Sequence, residues 1–139
     1  GTRSLALCVA PFVRPDLGTV DEAGLKKRQA SAAKTLETLG NCWIGDGDFI
    51  AGAPTASVAD LLAYEEVCQL LPKYLNMLDA PMPPAVASWC ERMAALPGYE
   101  AIHVPLATMG DLRAGAEQMG KRLGAATKAG MVAIKEAQA

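Results

Sequence analysis

Apolar residues recur along this chain at intervals of three and four, and no run alternates apolar and polar positions over the length of a strand. Leu5, Cys8, Val9 and Phe12 share one helical face and predict a helix over 2–13, stopped by Pro15. A second helix is predicted over 21–39. Asp21 and Glu22 favour its first turn, Leu25, Ala32, Leu36 and Leu39 give it an apolar stripe, and Gly40 is expected as its closing glycine. Lys26, Lys27, Arg28, Lys34 and Glu37 fall largely on the opposite face.

Beyond a linker packed by Trp43 and Ile44, the pattern predicts a third helix from Ser57 to about Leu71, where Pro72 bends or ends it. A continuation through Tyr74 and Leu75 is expected before the prolines at 81, 83 and 84. Pro84 then opens a helix over 85–96, with Val86, Trp89, Cys90, Met93 and Leu96 at helical spacing. Pro97-Gly98 ends it. A short helical turn over 99–103 follows, and a last helical stretch is expected from near Pro105 to about Lys135. Glycines in that stretch each cost about 1 kcal/mol relative to alanine, so the tail after Leu112 is expected to be mobile or dependent on a partner.

Composition narrows the function classes. The 139 residues are about half apolar and carry a formal charge of -2. A chain of this size can bury about two thirds of its unfolded surface around one core. The charge balance gives no electrostatic footprint for nucleic acid, and no apolar run approaches the roughly 20 residues needed to span a bilayer. A soluble, cytoplasmic protein is expected. Cys8, Cys42, Cys68 and Cys90 are far apart, form no CxxC pair and are distant from His103 in sequence, so no metal site is legible. Their apolar neighbours predict buried, reduced, structural thiols, with a reactive thiol left open for Cys8 alone.

The densest local signal is the stretch from Asp48 to Leu62, where a Gly/Pro turn runs into a strong helix start. Ser57 is an N-cap and Asp60 stands three residues later, the spacing of a capping box: the serine oxygen accepts from the N3 amide while the carboxylate accepts from the N-cap amide. Replacing either residue with alanine should cost about 1 kcal/mol or more. The following Leu61, Leu62, Tyr64 and Val67 predict a mostly buried helix.

Taken with Phe49-Ile50-Ala51-Gly52 before it and Ala63-Tyr64-Glu65-Glu66-Val67 after it, this stretch resembles the buried capping-box helix in the C-terminal domain of cytosolic glutathione transferases, nearest to the theta class. The segment from Pro84 to Met93, with Leu96-Pro97-Gly98-Tyr99 behind it, is similar to the family's next helix and exit turn. The resemblance covers roughly residues 1–112 and implies an all-α glutathione transferase C-terminal-like bundle of about five or six helices, with residues 113–139 an Ala/Gly-rich helical tail of the same domain.

The same resemblance implies the C-terminal, electrophile-site and dimer-forming domain of a detoxifying enzyme. In the full-length protein, glutathione thiolate, supplied by the co-substrate, would attack an electrophilic carbon or a peroxide oxygen. The family's thioredoxin-like domain, which holds most of the glutathione site and the thiol-activating group, is absent from this sequence. Because the chain begins with Gly1, it is expected to be a piece of a longer protein, without catalytic residues of its own or activity alone. Arg3 aligns with a cleft-facing arginine that would stabilise thiolate or leaving group; the plainer reading is a solvated arginine at a helix start. Leu7, Pro11, Met109 and Leu112 are expected to wall the small-electrophile pocket, or else to be core. A homodimer of the full-length protein is implied too.

A non-enzymatic alternative stands beside this one, because similar helical domains assemble partners in translation elongation factor 1 gamma and in synthetase complexes. Glu65 and Glu66 diverge by about 100° on a helix and so cannot act as a carboxylate pair; a solvated face or an N-terminal contact is expected. His103, the single histidine, has no Ser or Cys near it in sequence and is expected to be structural. Ser57 and Asp60 are assigned to folding.

Overall fold

A computed structural model describes residues 8, 9, 21–112 and 118–138. Among the described residues the protein is all-helical, with no strand. Within these residues five α-helices have both ends described: α1 (Glu22–Thr38), α2 (Val58–Cys68), α3 (Pro84–Ala94), α4 (Tyr99–Met109) and α5 (Met119–Ala137). Of the helix expected over 2–13, only Cys8 and Val9 fall inside the described set; both are helical and buried.

Helix α1 starts where its sequence directs. The Asp21 carboxylate accepts from the Gly24 amide at 2.7 Å, and Glu22 pairs with Lys26 at 2.8 Å on the solvent face. Gln29, Ala32 and Leu36 are buried, and the Gln29 amide is satisfied by the Met77 carbonyl at 3.2 Å. The expected stop at Gly40 is not there. The chain instead widens into a π-helical segment, Leu39–Ile44, and turns at Gly45, whose φ is 58°. Gly40 serves packing: a Cβ built there would lie 3.2 Å from Val86 Cγ2 of α3.

Two further helix ends differ from expectation. Helix α2 closes at Cys68; Tyr74 and Leu75 sit in a series of turns, with the amides of both Tyr74 and Asn76 donating to the Leu71 carbonyl. Pro72 has no amide to continue the ladder, which accounts for the loss of helix there. The turn segment is pinned at its far side, where the Leu112 amide donates to the Leu75 carbonyl and Asn76 donates to Asp111.

Pro105 likewise does not open a helix; it lies inside α4, which begins at Tyr99 after Gly98 (φ 79°) and ends at Gly110 (φ 64°). The proline is accommodated by its neighbour. Gly130 of α5 faces it so closely that a Cβ there would lie 2.8 Å from Pro105 Cγ. Helix α5 packs along α4 through this contact, with Ala126 and Ala133 also buried. Over residues 119–137 the expected helical tail is a helix seated on α4. None of the helices among the described residues is long and apolar enough to cross a membrane.

The core gathers Leu36, Val67, Leu70, Met77, Val86, Trp89, Met93 and Leu112, all essentially inaccessible. Pro84 stands at the first turn of α3, as expected, and Val86, Trp89, Cys90 and Met93 are that helix's buried stripe. Two apolar expectations fail: Leu61 and Leu62, with Val58, are exposed, and Trp43 is half-exposed while Ile44 is buried. Cys42 is also exposed, unlike Cys8, Cys68 and Cys90. The buried face of α2 is the one carrying Asp60, Ala63, Tyr64 and Val67.

Candidate functional site

The capping box is present, and it reaches further than a local cap. Ser57 Oγ accepts from the Asp60 amide at 3.4 Å and donates to Asp60 Oδ2 at 2.6 Å, while the Ser57 amide donates to the same oxygen at 2.9 Å. The other carboxylate oxygen takes two more donors, the Ile50 amide and Trp89 Nε1, each at 2.9 Å. Asp60 is completely buried. Burial by itself would raise its pKa, but the hydrogen bonds from Ile50, Ser57 and Trp89 favour the charged form and hold the carboxyl below its ordinary value. A buried charge satisfied in this manner joins the loop before α2, the start of α2 and the middle of α3.

That loop is strapped down from a second point. Arg92 of α3 donates through Nε to the Asp48 carbonyl at 2.8 Å and lies over the Phe49 ring. Ala51 holds a left-handed conformation, φ 60°, inside the 3-10 turn Ile50–Gly52. The turn therefore presents the Ile50 amide to Asp60 at the cost of an unfavourable backbone for a residue with a Cβ.

A second polar cluster lies at the opposite end of α2's buried face. Tyr64 of α2, Tyr74 of the following turns and Tyr99 of α4 bring their hydroxyls together, with Tyr99 Oη 2.8 Å from each of the other two. Burial and the Tyr99 hydroxyl push the Tyr64 and Tyr74 phenols well above their ordinary range. His103, one turn beyond Tyr99, stacks on the Tyr99 ring at 4.1 Å between centroids, lies 5.6 Å from the Tyr74 ring, and meets Tyr64 edge-on. Lys73 Nζ sits over the Tyr74 and Tyr99 rings.

The histidine is 2% exposed. Its Nδ1 is 2.8 Å from the Tyr99 carbonyl, which can only accept, so Nδ1 carries a proton. No hydrogen bond reaches Nε2; Glu65 Oε1 stands 3.6 Å away. Cys68 Sγ completes the group, so that one donor atom from each of Glu65, Cys68 and His103 lies within 4.8 Å of the others. Burial, and then the Glu65 charge, push the Cys68 thiol up to about 12. The cluster borders an apolar groove of about 280 Å³ between α2 and α4, lined by Leu61, Tyr64, Glu65, Leu96, Ile102 and His103 among others.

Of the residues expected to bind substrate, Arg3, Leu7 and Pro11 lie outside the described residues. Met109 and Leu112 belong to the buried core; the Met109 carbonyl accepts from Arg122 of α5 at 3.4 Å, beside a stronger bond from the same side chain to the Asp111 carbonyl at 2.6 Å. Ser57 and Asp60 stand where expected. Glu66 departs from the solvated face, since its Oε2 is buried without a hydrogen-bond partner, whereas Glu65 is exposed. The separation of His103 from every cysteine holds only along the chain: Cys68 is beside it in space. The spacings Glu65/Cys68 and Tyr99/His103 each place two polar groups on one helical face, which is the only trace of this cluster in the sequence.

Comparison with protein-family models, curated proteins and solved structures gave no match. The functional reading therefore rests on the residues themselves.

Proposed function

We propose that this chain is the C-terminal helical domain of a glutathione transferase, contributing the electrophile side of the site and part of a homodimer interface. In the full-length protein, glutathione thiolate attacks an electrophilic carbon with loss of its leaving group, or a peroxide oxygen. The observation that carries this reading is the buried carboxylate of Asp60, which caps α2 and simultaneously holds the Ile50 turn and Trp89. The resemblance runs through those residues: the aromatic-Ile-Ala-Gly turn, the Ser57/Asp60 box, and the helix that carries Trp89.

In this reading Arg3 places a cation beside the thiolate and Leu7 and Pro11 supply the apolar wall, while Met109 and Leu112 belong to the core. Glutathione itself is held mainly by a thioredoxin-like domain outside this sequence. The exposed apolar stripe of Val58, Leu61 and Leu62 on α2 is consistent with packing against further protein.

One observation favours a second reading, a non-enzymatic assembly domain like that of translation elongation factor 1 gamma. Leu123, Met131, Val132 and Ile134 of α5 are all about half-exposed. Capture on immobilised glutathione separates the two. The full-length protein should be retained and eluted by free glutathione, while residues 1–139 alone should pass through; full-length protein that passes through and co-purifies with partner proteins would favour assembly.

A further inference from the structure

Three groups with the chemistry of metal ligands converge at the edge of the α2/α4 groove, and one of them has an unmet need. His103 Nε2 is buried without a hydrogen-bond partner. With the proton on Nδ1, a neutral imidazole offers that nitrogen as a lone pair, and leaving it unmet costs free energy. Glu65 Oε1 stands 3.6 Å away, too far to supply a hydrogen bond.

We propose that Glu65, Cys68 and His103 form a binding site for a single Zn²⁺ ion. The donor set is a carboxylate, a thiolate and an imidazole, a combination that suits zinc's borderline softness. With zinc bond lengths of about 2.0–2.3 Å, tetrahedral ligand atoms lie roughly 3.3–3.8 Å apart. The Glu65–His103 pair is already at 3.6 Å, and no pair in the group exceeds 4.8 Å. Glu65, whose side chain is 55% exposed, is the ligand placed to adjust its distances to the other two.

The surroundings are those of a ligating histidine. Its Nδ1–H is committed to the Tyr99 carbonyl, which fixes the tautomer that leaves Nε2 free for a metal. The Tyr99 and Tyr74 rings and the edge of Tyr64 hold the imidazole plane. Glu65 and Cys68 come from successive turns of one helix and His103 from another, so the ion would cross-link α2 to α4.

Charge balances as well. Zn²⁺ displaces the proton of Cys68, which passes to solvent, and the dication is then neutralised by one thiolate and one carboxylate. Three protein ligands leave a fourth position. Glu65 and His103 both line the α2/α4 groove, and the fourth position would hold a water molecule or a small anionic ligand. This site is independent of the glutathione chemistry proposed above.

The test uses the whole polypeptide with the exposed Cys42 changed to serine, stripped with chelator and titrated with Co²⁺ as a spectroscopic stand-in. The expected result is a thiolate-to-cobalt charge-transfer band saturating at one ion per chain and abolished by one equivalent of Zn²⁺. Glu65→Gln, an exposed change that leaves helical circular dichroism intact, should weaken zinc affinity at least about tenfold, and Cys68→Ser should remove the band. Absence of the band, or zinc affinity unchanged by Glu65→Gln and Cys68→Ser, would overturn the site.

Discussion

Trp89 donates its indole N–H to Asp60 Oδ1 at 2.9 Å, tying the middle of α3 to the first turn of α2 across 29 residues of chain. The bond is between two fully buried side chains. It extends a local helix cap into a contact that fixes how two helices and the preceding turn meet.

Trp89→Phe keeps most of the ring and removes that donor, so the carboxylate loses one of its bonds. A destabilisation of about 1–3 kcal/mol is expected in denaturant unfolding. Asp60→Ala should cost more, because it strands the Ile50 and Ser57 amides and the indole together. The two losses should not add when combined, since both act through one network. Additive losses would mean that the bond contributes nothing.

Acid should unfold the protein partly through Asp60. Its folded pKa lies below the ordinary value of 3.8, so the folded state favours the charged form. The stabilisation is therefore fully present above about pH 4 and is lost as pH falls through the folded value. Asp60→Asn should flatten the acid limb of a stability-versus-pH curve. An unchanged acid limb in that variant would place the acid sensitivity elsewhere.

The glycines of α5 should separate by position. Gly124 has open space where a Cβ would go, so Gly124→Ala should stabilise by roughly 0.5–1 kcal/mol from helix propensity alone. Gly130→Ala, which gains the same propensity, should instead destabilise, because its methyl would meet the Pro105 ring. Thermal unfolding of the pair checks this, and a stabilised Gly130→Ala would deny the close contact of α4 and α5.

Thiol reactivity should divide along burial. In the folded protein Cys42 alone is expected to react promptly with a disulfide reagent, while Cys8, Cys68 and Cys90 wait for unfolding. Burial raises all three of the slow thiols, Cys68 and Cys90 to about 12. Prompt reaction of Cys42→Ser protein would contradict the packing around them.

What is local in this fold is legible in the sequence. The helix start at Asp21 and Glu22, the Ser57/Asp60 box and Pro84 at a helix start each depend on residues within one turn, and each is found, with Asp21 as the cap rather than in the first turn. What depends on a distant partner is not. Gly40 reads as a helix stop until Val86 is seen against it, and Pro105 reads as a helix start until Gly130 is seen making room for its ring. The apolar run after Asp60 marks a helix, but Leu61 and Leu62 face outward because Asp60, Tyr64 and Val67 claim the core side. The cluster at Glu65, Cys68 and His103 is least legible, since the 34 residues between Cys68 and His103 give no motif.

The transferase reading is tested most directly by steady-state conjugation of glutathione to a chloronitroaromatic electrophile by the full-length protein. The account predicts glutathione-dependent turnover, none by residues 1–139 alone, and a drop in kcat/KM of at least about tenfold in the Arg3→Ala variant, the loss expected on removing one charge-stabilising group. Folded full-length protein that turns over neither this electrophile nor a hydroperoxide would contradict it.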